Sequence, residues 1–154
     1  MNGSACKRCG NLVDGFCFQP LVNAKPPALS GVYAIRVVRG EKPTSKILGE
    51  VTPFFQELTS RWEKYGWLCG QVRLIEQIGE CNLIYIGRAG SLCGRYDQLS
   101  WGHPAGWPVA ALLYFGWELE YGWIEEAVPR NKEKEMKGVY KDRHDGKLPA
   151  LMRQ

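Results

Sequence analysis

Cys6-Lys7-Arg8-Cys9-Gly10, followed by Cys17, is the first stretch of the chain whose residue types could do chemistry. Two cysteines separated by two residues can share one tetrahedral zinc, and a glycine after the second suits the tight turn of such knuckles. Cys6, Cys9 and Cys17 are therefore candidate Zn2+ ligands, with unliganded thiols as the plainer alternative. The spacing leaves the fourth ligand open, and Cys69, Cys81, Cys93 or His103 could supply it through the fold. A second stretch, Leu83 to Arg95, joins a short apolar run to a glycine-rich turn and a polar segment. His103, in Gly102-His103-Pro104, titrates near neutrality and can give or take a proton. Trp101 and Trp107 flank it and can stack on bases or close a core edge. Glu133 and Glu135 lie among Lys132, Lys134 and Lys137, which by pattern alone is a solvated helix face.

Composition bounds what can position these groups. With 154 residues, 45% hydrophobic and 23% charged, the chain is the size and balance of one ordinary globular domain. It has no apolar run of about 18 residues, and Lys7 and Arg8 stand where a signal peptide would need apolar residues. A soluble, cytoplasmic protein without a membrane partner is expected. The net charge of +4 is compatible with nucleic acid without demanding it.

Gly3, Gly10, Gly15, Pro20, Pro26 and Pro27 make the first 29 residues read as an irregular arm. Ser30 to Val38, rich in β-branched and aromatic residues, predicts a strand. Thr52 and Pro53 open a helical pattern, with Phe54, Phe55, Leu58, Trp62 and Tyr65 recurring at three- and four-residue spacing up to Gly66. Val72, Leu74 and Ile78 predict a second strand over Gln71 to Ile78, turning at Gly79 to Asn82 into an antiparallel strand over Leu83 to Ile86. Ser91 to Leu99 predicts a helix carrying Arg95, and Ser100 to Pro108 a loop. The alternation from Leu113 to Trp123 predicts a strand or bent strand pair over Ala110 to Ile124, and Pro129 to Arg143 a final helix.

At this point the residues resemble a family. Gly31-Val32-Tyr33 looks like a GIY element with Val for Ile, and Tyr85-Ile86-Gly87 is an unaltered YIG. Arg95 follows Gly87 by eight residues, where the GIY-YIG endonuclease superfamily carries its helical arginine. A glutamate on the last helix, then Tyr140 and Gly146-Lys147-Leu148-Pro149-Ala150-Leu151, is similar to the tail of restriction-enzyme-like members, with Met152 where they have asparagine. The resemblance covers about residues 30 to 152.

It implies an α+β fold: a small mixed or antiparallel sheet flanked by helices, with an inserted helix and strand in the 51 residues between the two tyrosines. Residues 1–29 would be the arm with its zinc knuckle and 30–154 the nuclease domain. The implied activity is metal-dependent endonucleolytic hydrolysis of phosphodiester bonds in DNA, most simply double-stranded. The alternative is a catalytically weakened DNA-binding module of the same fold. Hydrolysis needs a water activated and aimed, and charge stabilised on the phosphate. The resemblance assigns the first task to Tyr33 and Tyr85, with Tyr33 preferred as base; His103, which lies farther beyond the arginine than the histidine of some members, could assist as proton donor or base. Arg95, a permanently charged planar fork, matches two phosphate oxygens. Glu135 would hold one Mg2+, with Glu133 as the second choice. Arg88 would contact the DNA backbone, and Gly87 would let the phosphate approach closely.

Overall fold

The computed structural model describes residues 6–41 and 62–152. The elements run β1 (Cys17–Pro20), a 3-10 turn (Leu21–Asn23), β2 (Gly31–Arg39), α1 (Trp62–Glu76), β3 (Leu83–Ala89) and α2 (Leu92–Asp97). A second 3-10 turn (Gln98–Ser100), α3 (Gly106–Tyr114), β4 (Glu118–Glu125) and α4 (Pro129–Arg143) complete them. The strands form one antiparallel sheet in the order β1-β4-β2-β3. An α+β fold built on a small antiparallel sheet is therefore established. No helix among the described residues is long and apolar enough to cross a membrane.

Strand β2 is the axis of the molecule because both of its faces are covered. Tyr33, Ile35 and Val37 point into a core shared with Leu74 and Ile75 of α1, Leu92 of α2, Val109 and Leu112 of α3, and Tyr121 and Trp123 of β4. Val32 and Ala34 point the other way, against Met136 and Tyr140 of α4 and Cys9 of the arm. That is the period-two alternation of a pleated strand with both sides used. A side chain at Gly31 would place its Cβ 2.3 Å from the Ile124 carbonyl oxygen, so the close pairing of β2 with β4 requires glycine there.

Three expectations are corrected. Gln71 to Ile78 is not a strand: α1 runs to Glu76, and Gln71, Leu74, Ile75 and Ile78 are the buried positions. Their spacing of three, four and seven is the helical one, and it overrides the alternation of Val72, Leu74 and Ile78. The expected helix from Thr52 lies outside the described residues up to Arg61, and the helix does not stop at Gly66. Between β2 and β3 the described residues hold an inserted helix and no inserted strand.

Residues 110–117 are not strand either. Helix α3 ends in a Schellman arrangement: Gly116 has φ +81°, its N–H donates to the Leu113 carbonyl, and the Trp117 N–H donates to that of Leu112. Only from Glu118 does the alternation of Leu119, Tyr121 and Trp123 describe a strand. The irregular arm contributes β1, which pairs with β4 through Cys17 opposite Trp123. The helices expected at Ser91 to Leu99 and Pro129 to Arg143 are present as α2, capped by the Ser91 hydroxyl on the Gly94 N–H at 3.3 Å, and as α4, with Pro129 in its first turn.

Candidate active site and cysteine-histidine cluster

Antiparallel pairing puts Tyr33 opposite Gly87 and Tyr85 opposite Ile35, on one face of the sheet. The rings of Tyr33 and Tyr85 stack at 5.8 Å, and Tyr121 of β4 stacks on the other side of Tyr33 at 5.3 Å. His103 closes the group edge-on, 5.0 Å from the Tyr85 ring, with its Nε2 2.5 Å from the Tyr33 hydroxyl.

The hydrogen bonds around His103 have a direction. The Ala105 N–H donates to Nδ1 at 2.9 Å, so in the neutral ring the proton sits on Nε2 and is given to the Tyr33 oxygen. Burial, and then the Arg95 charge, push His103 down to about 4, so neutral is its state at pH 7. The two phenols also shift each other in opposite directions, Tyr85 raising Tyr33 and Tyr33 lowering Tyr85. Burial drives both phenols above their ordinary range, while Arg95 opposes it at each.

Tyr33 is only 2% exposed, with its hydroxyl held by His103. Tyr85 is partly open and lines a cavity of about 340 Å³ with Trp67, Gln71, His103, Pro104 and Met152. Of the two tyrosines, Tyr85 is the one open to the cavity, whereas Tyr33 is enclosed. Gly87 lies directly beneath the Tyr33 ring. A Cβ there would lie 2.5 Å from the Tyr33 ring and hydroxyl, so the close approach of Tyr33 requires glycine at this position.

Arg95 projects from α2 with its charge felt at Tyr33, Tyr85, Tyr121 and His103, and it donates to the Gln98 side chain at 2.7 Å. Of the two glutamates on α4, Glu133 is the one that turns inward. Its side chain is 15% exposed, bonded to Arg88 at 3.1 Å and Lys137 at 2.6 Å, and its charge raises Tyr85. Glu135 is 65% exposed and pairs only loosely with Lys132 at 3.6 Å. Residues two positions apart on a helix are about 200° apart, so the two carboxylates face opposite ways, Glu133 toward Arg88 and Lys137 and Glu135 toward solvent. Arg88 engages Glu133 with its guanidinium half exposed. Trp101 is exposed, while Trp107 packs edge-on against Trp67 at 6.2 Å.

The cysteines form a second centre. Cys6, Cys9, Cys81 and His144 place their ligand atoms within 4.8 Å of one another, a set that could hold a metal ion. Cys17 is not among them; it sits exposed on β1. Cys81 was one of the expected partners, whereas His144 carries no local signal, lying 135 residues from Cys9 and beyond the end of α4. Among the described residues this is the only group of three or more metal-ligating side chains.

The chain matches no protein-family model, no curated protein and no solved structure.

Proposed function

We propose that the protein is a metal-dependent DNA endonuclease of the GIY-YIG type. The observation that carries the reading is the grouping of Tyr85, Tyr33 and His103 beside a cavity lined by Tyr85 and His103, with the charges of Arg95 and Glu133 both felt at Tyr85. A nuclease needs a base with access to water, a permanent cation for the phosphate and a carboxylate close by. Tyr85 meets the first need: Tyr33 and the Arg95 charge favour its phenolate, and its outer side is open to the cavity. Arg95 meets the second. Glu133 would hold one Mg2+, which when bound supplies positive charge beside the phosphate and the leaving oxygen. The cysteine-histidine cluster is read separately, as a Zn2+ site, because thiolates and imidazole suit zinc and not magnesium.

A supercoiled plasmid and a labelled duplex, incubated with magnesium, test this. Arg95→Ala and Tyr85→Phe are expected to lower the cleavage rate by about 10²-fold or more, and Glu133→Gln comparably, with Glu135→Gln within about twofold. Because the raised Tyr85 must ionise, the rate is expected to climb by up to about tenfold per unit between pH 7 and 9, and to lose that slope in Tyr85→Phe. Cleavage at the wild-type rate in both Arg95→Ala and Tyr85→Phe would sink the reading.

A DNA-binding module with weakened turnover is the second reading, favoured by one observation: Glu133 is already neutralised by Arg88 and Lys137. Salt-sensitive binding of duplex DNA without cutting under any divalent metal selects it.

A further inference from the structure

Helix α4 carries Glu133 and ends beside the cysteine cluster, and the two ends are connected by one stripe. Glu133, Met136, Tyr140 and His144 follow each other at three- and four-residue steps, so they share a face over about 16 Å of helix. Met136 and Tyr140 are buried against the sheet between the two ends. Only the ends bear polar chemistry: Glu133 meets Arg88 of β3, and His144 meets the arm.

The separations within the cluster approach those of a closed tetrahedral site, with Cys9–Cys81 tighter. Zn–S and Zn–N bonds of about 2.3 and 2.0 Å imply S···S near 3.8 Å and S···N near 3.5 Å. The separations are 3.3 Å for Cys9–Cys81, 3.7 Å for Cys6–His144 and 3.8 Å for Cys9–His144. His144 Nδ1 lies 2.8 Å from the Tyr140 carbonyl, which fixes its proton on Nδ1 and turns the Nε2 lone pair toward the sulfurs, the usual support of a metal-bound imidazole. Tyr140 stacks on the imidazole at 3.8 Å and holds its plane. The four ligands come from three places: two from the arm, one from the approach to β3 and one from the end of α4. Weaker ties run the same way, Arg143 to the Cys9 carbonyl at 2.5 Å, the Cys6 N–H to Asn82 at 3.2 Å and Arg8 to Asp145 at 3.0 Å. The one ion pair among them, Arg8–Asp145, is exposed on both sides and contributes little, and two single hydrogen bonds do not fix a helix end by themselves.

We propose that one Zn2+ bound by Cys6, Cys9, Cys81 and His144 clamps the arm and the approach to β3 onto the end of α4, and that this clamp sets the axial position of α4 and so of Glu133. The inference rests on the zinc reading of the cluster and concerns the same glutamate as the nuclease reading. Its test is therefore independent of cleavage.

Purified full-length protein is expected to contain one zinc per chain by elemental analysis, and its cobalt-substituted form to show the intense visible bands of a tetrahedral thiolate site. Cys9→Ser and His144→Ala are expected to lose the metal, while Cys17→Ser, Cys69→Ser and Cys93→Ser keep it. In hydrogen exchange, chelated wild-type protein and His144→Ala are expected to exchange at least tenfold faster along α4 back to Lys134, with β2 and β3 still protected. Added Zn2+, but not Mg2+, restores the chelated protein. Absence of zinc, a Cys9–Cys81 disulfide in its place, or zinc retained in both ligand variants overturns the proposal. So does exchange in α4 that ignores the metal, or protection lost throughout the sheet.

Discussion

His103 shows how one buried side chain reports its surroundings. It is 7% exposed and pushed down to about 4, against about 6.5 for an unperturbed histidine. Between those two values the unfolded chain binds a proton that the native state does not, so stability falls as pH drops through that window and is complete above it. The shift corresponds to about 3 kcal/mol at most. Urea denaturation at pH 7 and pH 4 is expected to show a loss of that order, and His103→Gln is expected to shrink the difference; an equal acid loss in the variant would remove His103 as its cause. The histidine itself was visible in the sequence, and so were Tyr33, Tyr85 and Arg95. Their surroundings were not, because the burial of Tyr33 depends on its stacking against Tyr85 and Tyr121 and its approach to Gly87, contacts made across strands far apart in the chain.

At the scale of elements, the same substitution is expected to act with opposite signs in two helices. Gly116 closes α3 with φ +81°, where an L side chain is strained, so Gly116→Ala should cost about 1 kcal/mol. Gly138 lies within α4 with nothing within 4 Å of an added Cβ, so Gly138→Ala should stabilise by about 0.5–1 kcal/mol. Thermal denaturation of both variants checks the pair, and two shifts of equal sign would contradict it. Elements with strong local punctuation were legible: α4 from Pro129, α2 from Ser91, β2 from its branched residues. Those misread were apolar on several faces. Around Leu74 and Leu113 a period of two and a period of 3.6 match nearly the same residues, and only burial separates them.

At the scale of the molecule, the arm is part of the fold. Cys9, Leu12, Val13 and Phe16 pack with Val32, Ala34, Met136 and Tyr140 on the second face of the sheet. Removing residues 1–16 is expected to cost on the order of 3–5 kcal/mol through lost apolar burial, read as a lower denaturation midpoint and a smaller m-value; an unchanged midpoint would show that the arm does not stabilise the sheet. The sequence by itself determined the class of fold, the two tyrosines, the helical arginine and a pair of cysteines waiting for partners, because each depends on residues within a few positions of one another. Only the tertiary structure decided that Tyr85 and not Tyr33 opens to the cavity, that Glu133 and not Glu135 turns toward Arg88, and that Cys81 and His144 gather beside the cysteine pair. Those choices depend on which face of α4 meets the sheet and where the arm lands, and long-range packing sets both.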